Sequence, residues 1–179
     1  MKGVISVFGS SAPQAGSVDY ENARLVGRLL AEAGYAVATG GYSGTMTAVS
    51  QGASEAGGHV IGVTCTQIEQ FRPLGPNQWI KEEIKYETLT ERLLHLVRHN
   101  DGMITLPGGI GTISEMTLAW SYLQTGEIEL RPFALLGELW PKTVHAFFDP
   151  AYIKAKDMEL IYFAESPETA VAHVTKNKD

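Results

Sequence analysis

The segment Leu106–Glu115 reads Leu-Pro-Gly-Gly-Ile-Gly-Thr-Ile-Ser-Glu and carries three glycines within four residues. It follows a short apolar run over 102–106 and precedes a run with helical character from 113 to about 124. A glycine-rich turn between a strand and a helix points several backbone N–H groups at one spot, beside the positive end of the helix dipole. One glycine would suffice for a tight turn, so three glycines indicate the close approach of a phosphate or another anion.

Glu115 and Arg92 are the candidate catalytic side chains. Glu115 is predicted in the first turn of the helix, where a carboxylate close to a bound phosphate ester could act as a general base. The spacing from Thr112 to Glu115 fits a capping box equally well, and the two roles are compatible. Arg92 stands near the start of its helix, where a cation is mildly unfavourable to the dipole, which favours another role. A surface ion pair with Glu87 or Glu91 is the alternative for Arg92.

Two further turns follow predicted strands, at 9–11 and at 40–45. The second turn lacks the G-x-G-x-x-G spacing of a dinucleotide fingerprint, and no G-K-[ST] follows it as in a Walker loop. Ligands of parallel α/β sheets bind at the carboxyl ends of the strands, so we expect the three turns to form one site. The predicted phosphate- and ligand-binding residues are Gly9, Ser10, Ser11, Gly40, Gly41, Gly44, Thr45, Pro107, Gly108, Gly109, Gly111 and Thr112.

A metal site is not expected in this chain. His95 and His99 are four residues apart on a predicted helix, but no third ligand is apparent, and two polar positions on a helix face are favoured. The single cysteine, Cys65, excludes a disulfide or a cysteine-based zinc site within one chain.

Composition restricts the class of protein and its partners. The chain has 179 residues, of which 44% are hydrophobic and 19% charged, and this fits a single domain over 1–179 with a true core. The net charge of −6, without a cluster of Lys and Arg, disfavours nucleic acid and anionic membranes as partners. Neither a signal peptide nor an apolar run of the ~20 residues that span a bilayer is visible, so we expect a soluble cytoplasmic protein.

Strands and helices are predicted to alternate along most of the chain. Strands are predicted at 4–8, 35–39, 59–63, 80–86, 102–106, 133–136 and 161–163. Helices are predicted at 19–33 with Asp19 as its cap, at 45–56, from Leu89 to about 99, at 113–124, and after Ser166 with Pro167 at the first helical position. Residues 64–79 are predicted as a loop, and the rest of the chain after 136 as mostly helical. Alternation of this kind predicts an α/β fold with three layers, a Rossmann-like parallel sheet with helices on both faces.

The motif at 107–115 resembles the P-G-G-x-G-T-x-x-E motif of the LOG ("lonely guy") family of cytokinin riboside 5′-monophosphate phosphoribohydrolases. Similar segments elsewhere extend the resemblance over about 4–136; they are Phe8–Ser11, Gly40–Met46, Gly57–Val63, Glu91-Arg92 and Ala119-Trp120. The resemblance implies that Glu115 and Arg92 form the catalytic pair and that the glycines of the motif, with Thr112, hold the 5′-phosphate. It also implies hydrolysis without a cofactor and a homodimer or higher homo-oligomer.

This chain departs from the family pattern at several positions. Leu93 replaces the lysine that follows Glu-Arg in the family, the turn at 42–46 is more polar than in plant members, and the segment 120–131 is longer. This outlying branch also resembles molybdenum cofactor carrier proteins, which bind a phosphorylated pterin without turning it over. Two functions follow as expectations: a nucleoside 5′-monophosphate phosphoribohydrolase, or a carrier with molybdenum cofactor as its ligand. In both cases we expect segments 11–19 and 64–79 to determine which ligand binds.

Overall fold

The computed structural model describes residues 1–72 and 74–176 as a sheet of seven strands with helices on both faces. The strands are β1 (Val4–Phe8), β2 (Ala36–Thr39), β3 (Val60–Cys65), β4 (Glu82–Tyr86), β5 (Gly102–Thr105), β6 (Phe133–Leu136) and β7 (Tyr162–Ala164). The helices are α1 (Val18–Glu32), α2 (Thr45–Glu55), α3 (Thr66–Phe71), α4 (Leu89–Arg98), α5 (Ile110–Thr125), α6 (Leu139–Phe147), α7 (Ala155–Met158) and α8 (Pro167–Thr175).

All neighbouring strands pair in parallel, in the order β4-β3-β2-β1-β5-β6-β7. The predicted three-layer α/β fold is therefore confirmed. The chain builds outward from β1 to β4 on one side, then returns to place β5 against the free edge of β1. Such a reversal leaves a crevice at the carboxyl ends of the two central strands, which is where ligands bind in folds of this kind.

Side chains on each strand alternate between two cores. On β1, Ile5 and Val7 face a core shared with α1, α2 and α8, whereas Phe8 faces the core shared with α4, α5 and α6. On β5, Ile104 packs in the core shared with α1, α2 and α8, and Met103 in the core shared with α4, α5 and α6. This period of two on strands that are buried on both faces explains why the strands read as short continuous apolar runs.

Two helix starts are set by serine caps. Ser17 accepts a hydrogen bond from the Tyr20 N–H and caps α1, so the prediction of Asp19 as the cap is wrong; Asp19 instead lies in the acidic first turn. Ser166 caps α8 through the Thr169 N–H, with Pro167 at the first position, as predicted. Both caps satisfy N–H groups that the helix itself cannot.

The start of α5 differs from the prediction. The helix begins at Ile110 and not at Ile113, and Gly109 occupies the N-cap position without a side-chain hydrogen bond. The capping box from Thr112 to Glu115 is therefore wrong, and Glu115 lies in the second helical turn, not the first. Glycine at the N-cap leaves the first N–H groups of α5 without a side-chain acceptor, a consequence that matters for the site.

The predicted loop over 64–79 contains regular structure. Strand β3 continues through Cys65, and α3 follows at once from Thr66 to Phe71. Its two apolar residues, Ile68 and Phe71, are three positions apart, but neither is buried, and six residues are too few for a helical period to show in the sequence.

Candidate functional site

A cavity of about 630 Å³ lies at the carboxyl ends of β1 and β2, against the starts of α4 and α5. Nine residues predicted from the sequence line it together: Gly9, Ser10, Ser11, Gly40, Arg92, Gly109, Gly111, Thr112 and Glu115. The three turns thus converge on one volume, as the parallel topology requires. A volume of this size accommodates a ligand the size of a nucleotide or a phosphorylated pterin.

The other five predicted residues do not line this cavity: Gly41, Gly44, Thr45, Pro107 and Gly108. Two of them, Gly44 and Thr45, contact the backbone of the turn after β1, which lines the cavity. The Thr45 N–H and Oγ1 both donate to the Ser10 carbonyl, at 2.9 and 3.1 Å, and fix the turn after β1 against α2. Gly44 has φ +67° and approaches the same turn so closely that a Cβ would collide with its backbone. Pro107 lines a separate, smaller cavity.

Gly109 and Gly111 face open space at the start of α5. Neither has a positive φ, and no heavy atom of the described chain lies within 4 Å of a Cβ built on either. Backbone conformation and internal packing therefore do not require glycine at these two positions. A ligand that approached the free N–H groups of α5 would need the space that a Cβ takes there, and the helix dipole favours an anion.

Arg92 reaches from the first turn of α4 to the bottom of the cavity and is only 5% exposed. Its Nε donates to the Val63 carbonyl at 2.8 Å and its Nη2 to the Gly40 carbonyl at 3.2 Å. Its Nη1 donates to Glu115 Oε1 at 3.5 Å. The surface position weighed for Arg92 on sequence grounds is wrong. Gly40 makes the arrangement possible, because a Cβ there would collide with the guanidinium and lie 2.6 Å from Met46 Sδ.

Glu115 is 6% exposed and meets Arg92 across the cavity wall. Burial raises the pKa of its carboxyl to about 7, and the charge of Arg92 and its hydrogen bond oppose that rise. Desolvation dominates because the ion pair is long, at 3.5 Å. A carboxyl with a pKa near neutrality can hold or release a proton at physiological pH, which is what a general base or acid needs.

Tyr42 holds this pair in place and was not among the predicted site residues. Its ring lies under the Arg92 guanidinium, with 5.7 Å between the guanidinium carbon and the ring centroid. Its hydroxyl accepts from the Cys65 N–H at 2.9 Å and donates to the Cys65 carbonyl at 3.2 Å. The ring packing and both backbone bonds fix the side chain at the end of β3. We call Gly40, Tyr42, Arg92 and Glu115 the floor of the cavity.

The opposite wall includes helix α3, in a segment that was predicted as a loop. The same segment, 64–79, was expected to determine which ligand binds. The wall is mainly apolar, and its residues come from α3, the segment after it and α4: Ile68, Phe71, Leu74, Leu89 and Leu93. Phe71 is 80% exposed, and so is most of Arg72, which follows it. We call the exposed lining residues Phe71, Arg72 and Ile110 the rim.

The two histidines of α4 lie outside the cavity. The rings of His95 and His99 stack with centroids 4.4 Å apart, and the Tyr86 hydroxyl lies 2.9 Å from His95 Nδ1. Within residues 1–72 and 74–176, no group of three or more His, Cys, Asp or Glu side chains is placed to hold a metal ion.

A family model described as "Possible lysine decarboxylase" matches residues 46–174. A cytokinin riboside 5′-monophosphate phosphoribohydrolase of Arabidopsis thaliana is 37% identical over 97 residues, covering 54% of this chain and 41% of that protein. One of the same name from Oryza sativa subsp. japonica is 32% identical over 148 residues, covering 82% and 57%. The chain thus spans about half the length of these relatives.

Among solved structures, the molybdenum cofactor binding protein from Rippkaea orientalis superposes with a TM-score of 0.74. It is 27% identical, and the match covers 96% of this chain and 94% of that one. In the part of the chain that the structure describes, no helix combines the length and apolarity needed to cross a membrane.

Proposed function

This chain belongs to the possible lysine decarboxylase family, and we propose that it hydrolyses a nucleoside 5′-monophosphate to the free base and ribose 5-phosphate. The observation that carries the proposal is the buried pair of Glu115 and Arg92 in the wall of a cavity that also holds the unobstructed start of α5. A family description as decarboxylase receives no support from the site, since no lysine is among the described residues that line the cavity.

The start of α5 supplies the anchor for the 5′-phosphate. The first N–H groups of α5 have no acceptor within the helix, and the residues of this turn, from Gly109 to Thr112, all line the cavity. Binding energy from the phosphate fixes the ribose relative to Glu115, so an interaction remote from the reacting bond lowers the entropic part of the barrier.

Glu115 acts at the anomeric carbon. As the C1′–N bond breaks, positive charge develops on the ribose, and an ionised Glu115 stabilises that charge. The same carboxylate accepts a proton from the water whose oxygen bonds to C1′. The electron pair of the broken bond stays on the base nitrogen, to which the proton can return. Arg92 holds Glu115 in place and favours its ionised form against burial.

The test is release of free base and ribose 5-phosphate from a panel of nucleoside 5′-monophosphates, measured by chromatography. We expect Glu115→Gln to lower turnover by about 10³-fold, because the amide can neither accept a proton nor carry negative charge. Glu159→Gln, at an exposed glutamate outside the cavity, is the matched control and should leave turnover unchanged. Equal turnover in wild type and Glu115→Gln would refute the proposed mechanism.

A second candidate is a carrier of molybdenum cofactor, favoured by the match to the Rippkaea orientalis protein over nearly the full length of both chains. A phosphorylated pterin would use the same anion site at the start of α5. Folded wild-type protein that turns over no nucleotide of the panel, yet binds the cofactor at micromolar concentration, would establish this function in place of hydrolysis.

A further inference from the structure

The floor leaves an anionic ligand without a free cation. Three charged side chains line the cavity among the described residues: Arg72, Arg92 and Glu115. Every nitrogen of the Arg92 guanidinium already donates to a carbonyl or to Glu115. A phosphate monoester carries up to two negative charges, and an ionised Glu115 adds a third. Backbone dipoles at α5 oppose only part of that charge.

Arg72 is the remaining cation of the cavity. In the part of the chain that the structure describes, its guanidinium forms no ion pair; its Nη1 donates to the neutral Ser11 Oγ at 3.1 Å. The guanidinium also lies 5.7 Å from the centroid of the Phe71 ring. Since Ser11 follows β1 and Arg72 follows α3, this hydrogen bond joins two separate parts of the cavity lining.

The attachment of α3 leaves Arg72 able to exchange partners. The early part of the helix is tied down: Gln67 Oε1 accepts from the Leu89 N–H at 2.9 Å, and Glu69 accepts from Lys85. The end of the helix is held by the bond to Ser11. Exchanging the neutral hydroxyl for a phosphate oxygen strengthens the interaction, because both partners are then charged and the planar guanidinium can donate two parallel hydrogen bonds.

We propose that Arg72 is a ligand-binding residue that donates to the phosphate of the bound nucleotide from the rim, opposite the N–H groups of α5. The assignment rests on the proposed function for its ligand, a nucleoside 5′-monophosphate. Ser11 is the resting acceptor of Arg72 and is itself held by its carbonyl, which accepts from Ser43 Oγ at 3.3 Å. A role for Arg72 as a favourable cation at the end of α3 would affect stability and not affinity for phosphate.

The experiment compares adenosine 5′-monophosphate with adenosine by isothermal titration calorimetry, in a Glu115→Gln background that removes turnover. We expect Arg72→Gln to weaken the monophosphate about tenfold and adenosine less than twofold. Arg72→Lys should recover part of the affinity, because it restores the charge without the planar fork. Arg28→Gln, at an exposed arginine paired with Glu32 outside the cavity, makes the same change in net charge and should alter neither ligand.

If Arg72→Gln weakens both ligands equally, or neither of them, the proposed role of Arg72 is wrong. The proposed hydrolysis would then still be tested by the turnover assay on the wild-type protein. If Arg72→Gln weakens only the monophosphate, but the wild-type protein turns over no nucleotide, then the role of Arg72 is supported and the proposed hydrolysis is wrong. Absence of monophosphate binding to the Arg72-containing protein at millimolar concentration, both in the Glu115→Gln background and in wild type, would overturn both.

Discussion

The floor and the rim of the cavity each carry an arginine, and the two are held in opposite ways. Arg92 is 5% exposed and donates to acceptors on three separate parts of the chain. The Arg72 side chain is exposed and, within the described residues, donates one hydrogen bond, to a serine hydroxyl. The floor is therefore a product of the whole fold, in which one change disturbs several elements. Phe71 and Arg72 of the rim lie at the end of a short helix, so we expect them to tolerate substitution with little effect on the rest of the fold.

The two regions also differ in their effect on stability. At the floor, burial raises the pKa of Glu115 to about 7, so holding this carboxylate ionised opposes folding. The rim exposes its charge to solvent and carries no such cost. Natural proteins retain unfavourable groups of this kind where the group has a task that a neutral residue could not perform.

The largest expected effect comes from breaking the floor at Gly40. Gly40→Ala places a methyl group against the buried Arg92 guanidinium and Met46. We expect the free energy of unfolding to fall by about 3 kcal/mol, because the methyl group overpacks the wall and displaces the buried guanidinium from its backbone acceptors. Urea denaturation measures the change. Gly75→Ala, where the described chain places no atom within 4 Å of the added Cβ, should shift it by less than about 0.5 kcal/mol. Equal changes in the free energy of unfolding for the two variants would contradict the expectation that the floor tolerates substitution poorly.

A second effect concerns pH. The pKa of Glu115 is raised in the folded state, from 4.5 to about 7, so the folded protein retains a proton that the unfolded chain releases. The resulting stability is present below pH 4.5 and is lost as the pH rises through about 7. Relative to Glu115→Gln, wild type should lose about 3 kcal/mol between pH 4.5 and pH 8.

Chemical denaturation across this pH range tests that loss, and the difference between two variants cancels the contributions of other groups. Glu159→Gln removes an exposed carboxylate outside the cavity and is the control. A difference for Glu115→Gln that changes with pH no more than that of the control would contradict the raised pKa of Glu115.

The smallest effect should separate stability from binding at the start of α5. Gly111→Ala adds a methyl group in open space within a helix, so we expect a gain of about 0.5–1 kcal/mol in the free energy of unfolding. The same methyl group occupies the approach to the α5 N–H groups, and affinity for adenosine 5′-monophosphate should fall about tenfold. Thermal denaturation and calorimetry measure the two quantities. Ser121→Ala, exposed farther along α5, should stabilise similarly without the loss of affinity; a loss of stability in Gly111→Ala would argue against its helical geometry.

The parts of the fold that the sequence predicts well are those with local signals. Apolar runs ending in glycine placed β1, β2 and β5, and the parallel order then brought their turns to one edge. The burial of Arg92 has no local signal, because its backbone acceptors belong to Val63, on β3, and to Gly40, which follows β2. On its own helix Arg92 looks like a surface residue.

The errors at α5 and α3 have separate causes. A Thr-x-x-Glu spacing indicates a helix start when nothing upstream can begin the helix, but here Gly109 serves as the N-cap and α5 begins at Ile110. Helix α3 has only six residues, and its apolar residues Ile68 and Phe71 line the cavity instead of packing in the core. Periodicity cannot reveal a helix of that kind.

The pairing of β1 with β5 governs when the site can form during folding. Ile5 pairs with Gly102, and the Val4 N–H donates to Asp101, residues that the chain places 97 positions apart. Closing a loop of that length is slow compared with the local βαβ contacts of β1 to β3. On a ribosome, β1 waits with one edge unpaired until β5 has emerged, and only then does the crevice exist. A ligand of this crevice can therefore select only chains whose two halves have already joined, and its presence in the cell would slow their separation.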